Sequence, residues 1–80
     1  MRMPRKPGTP VTVTGRVLAI LDAFSSPSCD GLTLVAISER SGLPLSTTFR
    51  LVSELHAGRV LTRDEHRRYK IGPRILELAG

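Results

Sequence analysis

The side chains best suited to chemistry in this chain stand in the run Ser46-Thr-Thr-Phe-Arg50 and, further on, in Arg67-Arg68-Tyr-Lys70. Serine and threonine hydroxyls donate and accept, and an arginine fork pairs with two acceptors at once, as on the edge of guanine or on a phosphate. These are groups for recognition. Groups for catalysis are sparse. Cys29 has no histidine near it in the sequence, so nothing suggests an activated thiolate, and His56 and His66 with one cysteine match no zinc spacing. No nucleophile elbow, phosphate-binding loop, dinucleotide fingerprint or paired-carboxylate arrangement is present. The expectation is therefore a chain that is not an enzyme and needs no metal or cofactor.

Lysine and arginine outnumber aspartate and glutamate by 12 to 7, giving a formal charge of +5 on 80 residues. Such an excess favours an anionic partner, nucleic acid before an acidic membrane surface. No apolar run approaches the roughly 20 residues that span a bilayer, and the basic, proline-rich start is not followed by the apolar segment of a secretory signal. With a lone cysteine, the reading is a cytoplasmic protein without a membrane partner.

The elements that must position these groups follow from periodicity. Residues 1–10 carry three prolines and the basic Arg2, Arg5 and Lys6, a composition that builds no core and predicts a disordered basic arm. Val17, Ile20, Leu21 and Phe24 recur at helical spacing, so a first helix starts near Thr14, buries Phe24 and ends at the Ser25–Ser28 cluster. Leu32 to Leu34 reads as a brief strand with Thr33 in its middle, followed by a second helix to Ser41 that buries Leu34 and Ile37. Gly42 suits a left-handed turn and Pro44 a helix start, so a third helix opens near Leu45 or Ser46 and ends at Gly58. Its inward face is Thr48, Leu51, Val52 and Leu55. Its outward face is Ser46, Thr47, Phe49, Arg50, Ser53 and Glu54. The period then falls to two: Val60–Arg63 and Arg68–Ile71 predict a hairpin with Tyr69 and Ile71 on one face and Arg68 and Lys70 on the other. Gly72-Pro73 opens a fourth helix bearing Ile75, Leu76 and Leu78.

This order predicts a mainly α fold with a small β-hairpin, a winged helix-turn-helix, in which the third helix enters the major groove of double-stranded DNA. The candidate contacts are Ser46, Thr47, Phe49, Arg50 and Ser53 on that helix and Arg67, Arg68 and Lys70 on the wing, with Arg63 and the basic arm as further phosphate partners. Plainer readings stand beside these. Arg50 can pair with Glu54 along its own helix, and the wing arginines can be ordinary solvated charge. Phe49 either touches a base or sugar or wedges against the wing. The whole unit can be a protein-interaction or dimerisation module, which would carry a neutral or apolar third-helix face, and RNA binding lacks the exposed aromatics it needs.

The stretches Arg16-Val-Leu-Ala-Ile-Leu-Asp-Ala-Phe24, Ser41-Gly-Leu-Pro-Leu-Ser-Thr-Thr-Phe-Arg-Leu51 and Tyr69-Lys-Ile-Gly-Pro-Arg-Ile-Leu-Glu-Leu78 resemble, in order, the amino-terminal DNA-binding domain of the IclR (isocitrate-lyase-regulator) family. The resemblance implies a bacterial transcription regulator, more often a repressor than an activator, bound to a palindromic operator as a homodimer. It places Ser46, Thr47 and Arg50 at DNA-facing positions. It divides the chain into a basic arm (1–10), the winged domain (11–72) and the start of a linker helix (73–80), with the family's effector-binding domain, and hence its small-molecule site, not represented. Three residues depart from the family's pattern. Leu45 stands where a basic residue is common. Arg59 follows Gly58 where a glycine usually closes the third helix, and Arg67 takes the usual glycine of the wing tip.

Overall fold

The computed structural model describes residues 12–25 and 31–79. The expected arm with Arg2, Arg5 and Lys6, and Cys29, lie outside the described residues. Four helices and one hairpin are present: α1 (Val13–Asp22), α2 (Leu34–Ser41), α3 (Leu45–Ala57), β1 (Leu61–Arg63), β2 (Tyr69–Ile71) and α4 (Pro73–Ala79).

Both early helices begin on a threonine. Thr12 Oγ1 accepts the Gly15 N–H at 3.0 Å, so α1 starts a residue earlier than its apolar period suggests. Thr33 Oγ1 accepts the Ala36 N–H at 3.2 Å. Such caps satisfy donors that the first helical turn leaves open, each contributing about 1 kcal/mol. Thr33 is thus a helix cap rather than the middle of a strand. The expected strand shrinks to a single antiparallel bridge, in which Leu32 and Tyr69 exchange backbone hydrogen bonds at 2.9 and 2.7 Å.

The core gathers Ile20 and Ala23 of the first helix and its cap, Leu32, Ile37, Leu43, Leu51 and Val52, and Leu61 and Tyr69 of the hairpin. Ile20, Ile37, Val52 and Leu61 are wholly buried, each worth about 1.5–3 kcal/mol of transfer free energy. The inward face assigned to α3 is correct, with Leu55 half-buried. Leu34 and Phe24 are also half-buried, packed against the core instead of inside it. On the wing, Leu61, Thr62 and Arg63 pair with Ile71, Lys70 and Tyr69. Tyr69 faces the core and Lys70 the solvent, as the alternation predicts. The strands are shorter than predicted at both starts. The Val60 N–H is spent on closing α3, donating to the Leu55 carbonyl at 2.9 Å, and the Arg68 N–H turns to Asp64 Oδ1 at 3.0 Å.

Candidate nucleic-acid interface

The turn that sets α3 is built from small polar side chains and one glycine. Gly42 takes φ 76° and its N–H donates to the Ser38 carbonyl at 3.0 Å, which ends α2 in the left-handed region. Ser38 Oγ donates to the Leu43 carbonyl at 2.7 Å, and Thr48 Oγ1 donates to the Pro44 carbonyl at 2.9 Å. Ser41 and Thr48 are both buried, yet each is hydrogen-bonded, and Leu43 is plugged into the core between them. The geometry of α3 relative to α2 is thus fixed by satisfied polar groups around an apolar plug.

The result is a solvent-facing strip on α3. Ser46, Arg50 and Ser53 follow one another at four- and three-residue spacing, opposite the buried Thr48, Leu51 and Val52. Ser46 and Arg50 are exposed, while Thr47 and Ser53 are half-buried on the flanks. Among the described residues no ion pair ties Arg50 to Glu54, so the fork is not engaged along its own helix. Unlike α1 and α2, α3 has no side-chain cap at its start, where Pro44 precedes Leu45. The N–H groups of its first turn are donors that an anion can take.

The wing tip is organised by one carboxylate. Asp64 Oδ1 accepts the N–H groups of His66 at 2.8 Å and Arg68 at 3.0 Å, while the Asp64 carbonyl accepts the Arg67 N–H at 3.1 Å. The Arg68 N–H above all, and then the His66 N–H with nearby positive charge, hold the Asp64 carboxyl below the usual aspartate range. Arg67 closes this loop with φ 63°. A left-handed residue after a tight turn is what a three-residue hairpin loop requires, and glycine is its ordinary occupant. Arg59 does the same at the end of α3, with φ 66°, while its N–H donates to the His56 carbonyl at 3.0 Å. Gly58, expected to mark the helix end, keeps φ −84°, so the left-handed residue of the closing motif is Arg59.

Arg67, Arg68 and Lys70 are exposed on the wing. Arg63 takes the other face of its strand, with its guanidinium carbon 5.7 Å from the centre of the Tyr69 ring. That contact frames an open cleft of roughly 530 Å³ between α3 and the wing. Thr33, Leu34 and Val35 from the start of α2, Phe49 from α3 and Arg63, His66, Arg67 and Tyr69 from the wing line it. Phe49 therefore stands on the wing side of the reading strip. Val35 and Arg63 are the residues that sequence reasoning undervalued. An apolar side chain off the buried face of the second helix was the available signal for Val35. Among the described residues no group of histidine, cysteine, aspartate or glutamate could hold a metal, and no helix is long and apolar enough to cross a membrane.

Comparison with known proteins agrees with this geometry. The IclR helix-turn-helix domain model matches residues 13–65. An IclR homolog from Microbacterium hydrocarbonoxydans, solved with 4-hydroxybenzoate, superimposes with a TM-score of 0.78 at 30% identity, covering 84% of this chain and 28% of that one. The repressor BlcR from Agobacterium tumefaciens aligns with a TM-score of 0.71 at 28% identity over 85% of this chain and 28% of its own. An IclR-type transcriptional regulator from Alicyclobacillus acidocaldarius gives 0.71 at 30% identity, with the same coverages. The chain thus spans less than a third of these proteins. No curated protein sequence matches it.

Proposed function

This chain belongs to the IclR helix-turn-helix family, a domain of DNA-binding transcription regulators, and on that premise we propose that it is the reading domain that gives such a regulator its DNA sequence preference. The observation that carries the proposal is the exposed pair Ser46 and Arg50, flanked by the half-buried Thr47 and Ser53, on a helix whose pose is set by the Gly42 turn. In this reading Arg50 and Ser46, with Thr47, address base edges and phosphates in the major groove. Arg67, Arg68 and Lys70 neutralise phosphates beside it, with Arg63 behind them. The uncapped start of α3 adds backbone donors to the same strand. Residues 1–10 serve as a basic arm, 11–72 as the reading domain and 73–80 as the beginning of a linker helix. Regulation in the cytoplasm, by repression and not by catalysis, completes the proposal.

Two copies pair on a palindromic site. Leu78 on α4 is 75% exposed and Leu18 on α1 is 56% exposed, and in this reading a second copy covers them. Sedimentation with and without duplex checks this, and equal binding of half-sites and full sites by a strict monomer refutes it.

The test of DNA reading is a fluorescence titration with duplex DNA, single-stranded RNA and heparin at two salt concentrations. About four to six phosphate contacts at roughly −0.9 each should give a steep salt slope on duplex. Arg50→Ala should cost about 1–3 kcal/mol on the preferred site and blur selectivity at one base pair, whereas Arg68→Ala should weaken all duplexes alike. A flat salt response, or equal loss on every sequence for Arg50→Ala, sinks the reading.

A further inference from the structure

The cleft between α3 and the wing has a composition unlike the rest of the basic surface. Its lining mixes the cations Arg63 and Arg67 and the imidazole of His66 with carbon from the exposed Phe49 and Val35 and the buried Tyr69. Phe49 is 57% exposed and Val35 53%, so two large apolar side chains from two helices face solvent together. A DNA strand can cover such carbon with the C–H groups of its deoxyribose, which every nucleotide carries, or with an apolar group on a base edge, which only some carry. Every major-groove base edge is a set of donors and acceptors except that of thymine, which adds a C5-methyl group.

Phe49 precedes Arg50 on α3 and sits on the flank of the reading strip that faces the wing. A DNA strand that leaves the groove under α3 and passes toward the wing has its phosphates beside Arg63 and Arg67. The thymine methyl lies in the major groove on the side of its own strand's backbone, and a strand so placed would bring it to the cleft that Phe49 and Val35 line. We propose that Phe49, backed by Val35, is a specificity-determining pair that seats the C5-methyl of a thymine next to the base pair addressed by Arg50. The inference rests on the DNA-reading function proposed above and adds what the aromatic side chain reads. It chooses between the alternatives for Phe49: the ring lines the cleft between helix and wing, and the base methyl packs against it there.

The test uses duplexes enriched from a random pool by the chain itself, remade with deoxyuridine in place of one thymidine at a time. That exchange removes the methyl and leaves the pairing edge and the groove acceptor intact. At one thymine in each half-site, affinity should fall about three- to tenfold, the size expected for burying a single methyl group. The thymidine–deoxyuridine difference should vanish in Phe49→Ala, shrink in Val35→Ala and persist in Arg50→Ala. Both apolar side chains are more than half exposed, so truncation leaves the core intact, and circular dichroism checks that. The scan on the unaltered chain stands without any variant. Equal binding of thymidine and deoxyuridine at every position overturns the proposal. So does a difference that survives Phe49→Ala, or a Phe49→Ala loss that is the same on both duplexes, which would mean the ring packs on deoxyribose. If no duplex is enriched at all, the DNA-reading function falls with it, whereas enrichment without methyl dependence removes this inference alone.

Discussion

Gly42 and Arg67 hold nearly the same left-handed backbone, φ 76° and 63°, with opposite kinds of residue. In the turn between α2 and α3 the backbone's demand is met by the residue that satisfies it without strain, and the polar groups around it are paired. At the wing tip, and again at Arg59, the same demand is met by a long cation for which that conformation costs about 1–2 kcal/mol. The helix-turn-helix thus meets the demand with a glycine, and the wing tip and the end of α3 meet it with arginine. For Arg67, the duplex contact proposed above is a role that would offset that strain.

The largest effect should come from the place where the two regions meet. Leu61 roots the wing in the core and is wholly buried, as is Ile37 on α2. Leu61→Ala should therefore destabilise by about 2–5 kcal/mol, as much as Ile37→Ala. Chemical denaturation decides this, and a loss under about 1 kcal/mol would mean that the wing is an appendage and not part of the core.

Next in size is Gly42→Ala, expected to cost about 1–2 kcal/mol because a side chain is forced into the left-handed region. A neutral result in thermal melts would remove one side of the comparison.

Smaller, and opposite in sign, are Arg59→Gly and Arg67→Gly. Relief of left-handed strain, less the extra freedom of glycine in the unfolded chain, should stabilise by about 0.5–1 kcal/mol each. Arg67→Gly should at the same time weaken duplex binding and lower the salt slope by about one. Paired melting and binding curves test it. Loss of stability in both variants would show that the arginines are held by contacts worth more than the strain.

The least effect concerns Asp64, whose carboxylate organises the wing tip. Folding lowers its pKa, so its contribution is present above the unfolded value of about 3.9 and is lost as the pH falls through the folded value. In an NMR titration the amide signals of His66 and Arg68 should move together, with a midpoint below that value. A midpoint at or above it would mean that the loop hydrogen bonds do not favour the charged form.

Much of this molecule was legible from residue types in order. The change from helical to alternating period placed the hairpin, Gly42-Leu43-Pro44 placed the turn, and phase alone separated the buried Thr48 from the exposed Arg50, because each of these signals is local and repeats within a few residues. Thr33 was misread for a local reason: a threonine between two leucines suits a strand as well as a cap, and only the pairing of Leu32 with Tyr69 limits the strand to one residue. Which residue would carry the left-handed conformation at the end of α3 depended on where the chain had to go next. The ideal Cβ of any residue replacing Gly72 would come within 2.5 Å of the Arg59 carbonyl, so the chain after the helix is pressed against the hairpin's exit. Along the sequence only the family's pattern, in which a glycine usually stands at position 59, pointed to a left-handed residue there; the close approach itself is tertiary. The cleft is of the same kind. Val35, Phe49, Arg63 and Arg67 come from three elements far apart in the chain, and only the burial of Leu43, Leu61 and Tyr69 in one core draws them to a common surface.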